Sequence, residues 1–99
     1  MRRRYLRRAL VDLQEIGRYI GCDNRVAAQR WLGRLRSRAA AAALSPLTGR
    51  VVPELGRDDV REVFLRTYRI IYRIDVKEIL ILAFVEGSQQ LRVDPDAAE

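Results

Sequence analysis

The rhythm of the apolar side chains changes once along this chain, and that change limits the fold more than any other feature. From about residue 9 to residue 44 apolar residues recur every three or four positions, the spacing of one helix face. From Val60 onward they alternate or run together, as strands do. One half of the chain therefore builds helices and the other builds a sheet, which is the pattern of an α+β domain and not of alternating βαβ units. Between the halves, residues 45–59 hold Pro46, Gly49, Pro53 and Gly56 and read as a connecting loop with no regular element of its own.

In the helical half, Leu10, Leu13, Ile16 and Ile20 share one face of a first helix. Gly21 reads as a left-handed stop and Asp23 or Asn24 as the N-cap of the next helix, so "IGCDN" is the turn of a helical hairpin. The second helix is expected over about 25–44, with Ala28, Trp31, Leu32, Leu35, Ala39 and Ala42 along one face and Trp31 as a core anchor. Arg30, Arg34 and Arg38 follow one another every fourth residue as a stripe beside that face. Downstream, "VREVFLR", "YRIIYRID" and "EILILAFV" read as an antiparallel meander, the last strand apolar on both faces as a central strand would be. Residues 2–7 supply an N-terminal edge strand, since adjacent arginines suit an edge. The expected order is β-α-α-β-β-β, with one domain over 1–92 and a flexible acidic tail over 93–99. The helical hairpin covers one face of the sheet, and no element remains to cover the other.

Composition then narrows the chemistry. The formal charge is +6 and the pI about 10.4, with Lys77 the only lysine among 19 basic residues. Such a balance suits a nucleic acid or an acidic protein as partner, although a GC-rich genome yields the same arginine and alanine bias. There is no histidine, so neither a histidine base nor a usual zinc site can be built. Cys22 stands alone, which rules out an intrachain disulfide, fits a reducing cytoplasm, and reads as a small buried hydrophobe. No apolar run approaches the roughly 20 residues of a membrane span, and no apolar stretch follows the basic start "MRRRYLRRAL" as a signal peptide requires. No glycine loop of phosphate-cradling spacing precedes a helix, and nothing calls for a cofactor or a metal. What remains is binding, or arginine-based chemistry on a phosphodiester.

The segments "ALVDLQEIGRYI" and "VVPELGRDDVREVFLRTYRIIYRID", in this order around a second helix, closely resemble the RelE/ParE superfamily of bacterial type II toxins. The likeness covers roughly residues 9–87. It implies a small cytoplasmic toxin neutralised by a cognate antitoxin, ParD-like or similar, through an acidic C-terminal segment. RelE-like members cleave messenger RNA on the ribosome, whereas ParE-like members inhibit DNA gyrase. Arg69 stands where the ribonucleases place an important arginine, and Arg61 lies near one of their strand lysines; if the chain cleaves RNA, these two are its catalytic candidates. ParE-like members share similar arginines. Val63 replaces a second lysine of the ribonucleases, and the segment after the last strand reads "EGSQQL" where they carry cations and then a tyrosine. These departures favour the ParE-like branch, although that branch too is expected to be basic there. The candidate antitoxin surface is Arg30, Trp31, Arg34, Arg38, Arg61 and Arg69, and the candidate target surface Arg61, Arg69, Glu86, Gln89, Gln90 and Arg92. Arg66 and Arg73 are explained by solvation. The alternatives to a gyrase-binding toxin are a ribosome-dependent endoribonuclease, in which RNA is bound directly, and a non-toxic module that binds only the antitoxin.

Overall fold

The computed structural model describes all 99 residues. Strand β1 (Arg2–Tyr5) leads into helix α1 (Arg7–Gly21) and helix α2 (Arg25–Leu44), and a 3-10 turn (Pro46–Thr48) leads into a short strand β2 (Arg50–Val51). Strands β3 (Val60–Leu65), β4 (Tyr68–Ile74) and β5 (Glu78–Glu86) follow as the expected antiparallel meander. The sheet order is β1-β5-β4-β3-β2, and β1 pairs with β5 in parallel. The loop before β3 is therefore not devoid of regular structure: it contributes the second sheet edge, a two-residue strand too short to leave a period in the sequence.

The hairpin forms for local reasons. Asn24 caps α2, its side-chain oxygen accepting the Ala27 N–H at 3.0 Å. Gly21 is not left-handed. Only Arg66 and Gly56 have positive φ, and α1 ends through Cys22 in helical conformation, its N–H donating to Arg18 O. Cys22 is exposed at this tip and not a core residue. The face of α1 that enters the core is Ala9 and Leu13 with Ile16 half-buried, while Leu10 points outward. Gly17 lets the helices close up, since a Cβ there would stand 2.9 Å from Leu32 Cδ1.

A core of helix and sheet residues includes Leu13, Leu35, Ala39, Ile70, Tyr72, Ile79, Ile81 and Phe84. Trp31 stays at its margin, half-buried, so it is not the central anchor expected of it. On the far side of the sheet a second apolar cluster contains Leu6, Val52, Val60, Ile71, Leu80, Leu82 and Val85. This face, expected to lie open, is covered by Leu55 from the loop and by Leu91, Val93 and Ala97 from the C-terminal segment. That segment is also tied by polar contacts. Arg73 donates to the carbonyls of Pro95 and Ala97, Arg57 pairs with Asp96, and Arg8 donates to Arg92 O. Arg73 is thus a fastening for the segment as well as a strand-end cation.

One irregularity decides what β5 presents. Ile71 pairs with Ala83, but Tyr72 pairs with Ile81, so Leu82 is an extra residue in a bulge. Before it, Ile79 and Ile81 face the helices; after it, Phe84 does, and Leu82 and Ala83 both face the second cluster. The shift carries Glu86 to the helix side, opposite Tyr68.

Candidate functional site

The antiparallel register separates two residues that the sequence placed on one surface. Arg61 stands opposite Tyr72, on the helix side of the sheet, and Arg69 stands opposite Phe64, on the far side. Alternation along strands makes this unavoidable, since an odd number of peptide steps and one cross-strand pairing fix which face each side chain takes. Arg61 donates from Nε to Asp58 O at 2.9 Å and from Nη1 to Gly49 O at 3.1 Å, which ties down both ends of the loop around β2.

Arg69 is buried. Its Nε donates to Glu62 Oε1 at 2.6 Å, and its two terminal nitrogens form a fork with Glu54 at 2.7 and 2.8 Å. Glu62 is itself fully buried and accepts Arg50 Nε at 2.7 Å, while the Arg50 guanidinium lies 5.0 Å over the Phe64 ring. Two arginines and two carboxylates thus neutralise one another beneath the loop. The hydrogen bonds from Arg69 hold the Glu54 carboxyl down at about 2, well below its usual range, and the same carboxylates raise Arg69 further above its already high value. Glu54 comes from "PELGR" and Glu62 from "VRE", so both quoted motifs serve this network. Arg69 is wholly engaged and has nothing left for a phosphate, while the Arg50 side chain remains more than half exposed.

The α2 stripe is open instead. Arg30, Arg34 and Arg38 are exposed and none forms an ion pair. They border a shallow depression of about 590 Å³ with Gln29, Gly33, Ser37 and Leu65. Arg38 reaches across to β3, donating from Nε to Phe64 O at 2.9 Å. Arg34 lies 5.0 Å over the Trp31 ring, and Trp31 meets Tyr68 edge-on at 6.2 Å.

Tyr68 links this stripe to a second depression of contrary charge. It is about 530 Å³ in volume, and Asp12, Glu15, Glu86, Tyr19 and Gln89 line it together with Tyr68 and with Arg8, which is paired to Asp12. Burial pushes the Tyr68 phenol up, and the nearby Glu86 adds to this. Burial likewise raises Asp12, against the bonds it receives from Phe84 N–H at 2.9 Å and from Arg8. Asp12 takes that N–H because β1 ends at Tyr5 and leaves the next part of β5 unpaired on that edge. Glu86 is lowered by hydrogen bonds from Ser88. Of the expected target residues, Glu86 and Gln89 line this depression; Gln90 and Arg92 lie beyond it, within 3.5 Å of each other. Asp12, Glu15, Tyr19 and Tyr68 were missed in the sequence, because only the bulge in β5 gathers them around Glu86.

A surface of this kind has no cluster of histidine, cysteine or acid residues that could hold a metal; it offers a cationic helix face, an aromatic ridge and an acidic hollow. The family model of the ParE toxin of type II toxin-antitoxin systems, parDE, matches residues 4–91. The chain belongs to the ParE toxin family. Among solved structures, a chain of the chromosomal ParDE TA system from P. aeruginosa has a TM-score of 0.72 at 21% identity, covering 87% of this chain and 95% of that one. At that identity the likeness speaks for the fold: the hairpin on a five-stranded sheet is the ParE architecture. Curated proteins give no match.

Proposed function

We propose that this ParE-family chain is a toxin held inactive by an acidic antitoxin segment, and that when free it acts by binding DNA gyrase in the cytoplasm rather than by cutting RNA. The observation that carries the choice is the position of Arg69. A ribonuclease of RelE type needs cations aimed at a scissile phosphate, and Arg69 is engaged by Glu62 and Glu54 while Arg61 holds loop carbonyls. Val63 and the acidic Glu86 supply nothing in their place.

The antitoxin seat on this reading is the face of α2 carrying Arg30, Trp31 and Arg34, continued by Leu65. Its arginines steer and register an acidic amphipathic segment, and its apolar and aromatic groups provide most of the affinity. The target surface is the hollow beyond Tyr68, with Glu86 and Gln89. Expression of the chain alone is expected to arrest growth, and co-expression with the antitoxin to relieve the arrest. In vitro, the purified chain is expected to inhibit gyrase supercoiling. New messenger RNA ends after induction, with supercoiling untouched, would replace this reading by the ribonuclease.

A further inference from the structure

The arginines of this chain divide by what they touch. Arg4, Arg8, Arg50, Arg57 and Arg69 hold carboxylates, while Arg38, Arg61 and Arg73 hold backbone carbonyls. Others have no acidic partner. Three of these, Arg3, Arg7 and Arg36, are exposed and gather on the helix side of the sheet where β1, the start of α1 and the middle of α2 come together; Arg2 leaves β1 on the opposite face. The Arg3 and Arg36 guanidiniums both lie close enough to the Tyr5 phenol to act on it, and Arg7 and Arg36 border one shallow groove.

Nothing in the fold neutralises this corner. Helix α2 contains no acid. Asp12 is held by Arg8 and Phe84 N–H, and Glu78, which stands opposite Arg2 on the far face and pairs with Arg4, does not reach the helix side. Arg7 is the first residue of α1, and no acid occupies the first turn, so a cation sits at the positive end of the helix dipole. Like charges from three elements are thus brought together where the backbone also repels them, at a cost to the isolated chain. A bound polyanion removes that cost. Arg2 and Arg3 leave an edge strand on opposite faces, so cations stand on both sides of the sheet edge as a ridge, with Glu78 opposite Arg2 on the far side. Such a ridge can meet phosphate rows on both sides of a groove, whereas an acidic peptide would use only one side.

We propose that Arg3, Arg7 and Arg36 form a contact surface for the phosphodiester backbone of a nucleic-acid duplex. It is separate from the antitoxin seat proposed above, since Arg36 lies two residues from both Arg34 and Arg38 and therefore on another side of α2. Binding is independent of sequence and falls steeply with salt.

The test is fluorescence anisotropy of labelled DNA and RNA duplexes of about 20 base pairs with the whole chain, over roughly 50–200 mM salt. The wild-type chain should bind, and the variant R3Q/R7Q/R36Q should lose about two to three units of salt slope and at least about tenfold in affinity at low salt. A charge-matched control, R18Q/R25Q/R66Q, should keep most of the slope. The two duplexes distinguish DNA from RNA as the source of the phosphates, and loss on either supports the surface. No binding by the wild type, an equal loss in the control, or stronger binding of a polyglutamate peptide than of either duplex would overturn it. Thermal unfolding adds a second readout: relief of repulsion should leave R3Q/R7Q/R36Q at least as stable as wild type, and a clear drop would make these arginines structural.

Discussion

Arg69 shows how one residue's role changes with its surroundings. In the sequence it is one of several arginines in a strand; in the fold it is the cation on which two carboxylates converge. Removing one member of a buried ion pair leaves its partner charged and unanswered, which costs more than the pair contributes. Arg69→Ala is therefore expected to destabilise the chain by about 3 kcal/mol, read by urea denaturation. Any loss of toxicity in that variant should follow the loss of folded protein, and a fully stable but inactive R69A would restore the residue to a functional surface. Glu54 adds a pH dependence. Its folded pKa, about 2, lies below its ordinary 4.5, so its stabilisation is complete above pH 4.5 and lost as pH falls toward 2. The carboxylate is nearly half exposed, so solvent screening holds the effect to on the order of 1 kcal/mol. Glu54→Gln should flatten that part of the acid stability curve, measured by denaturation at stepped pH.

At the scale of elements, two connections invite measurement. The β3–β4 turn places Arg66 at φ 55, a left-handed conformation that costs a side chain about 1 kcal/mol. Arg66→Gly should therefore be neutral to stabilising by up to about that amount, after the entropy of glycine in the unfolded chain is counted. The C-terminal segment is the other. Val93 and Ala97 pack on the second cluster, and Arg73 holds the carbonyls of Pro95 and Ala97. Truncation after Arg92 should lower stability by about 1–2 kcal/mol, the burial of a valine-sized group; a segment that merely frays would leave the urea midpoint unchanged. Alternation, caps and the hairpin of helices could be read directly from residues such as Asn24 and Leu13. The two-residue β2 and the bulge at Leu82 could not, because a strand of two residues has no period and an all-apolar strand hides a change of face.

The whole molecule is defined by charge that is neutralised in some places and left open in others. The net charge of +6 is a property of composition, but its placement is not. Charge reversal at Arg30 and Arg34, which form no ion pair within the chain, should slow antitoxin association several-fold at low salt and reduce its salt dependence, as stopped-flow mixing would show. Arg38 is a poorer choice, because its reversal would also remove the bond to Phe64 O. An association rate that ignores the Arg30 and Arg34 reversal would move the antitoxin elsewhere on the fold.

The sequence by itself determined the class of fold, the helical hairpin, the meander and the resemblance to RelE/ParE toxins, because each depends on periodicity or on ordered local motifs that survive without long-range contacts. It also determined that histidine chemistry is absent. Only the tertiary structure decided which arginines are free. Arg61 and Arg69 are parted to opposite faces by strand register, Arg69 is neutralised by Glu54 from a distant loop, and Glu86 is turned to the helix side by one extra residue in β5. Strand register, a loop-to-strand ion pair and a bulge set these three, and none of them leaves a spacing for a sequence to display.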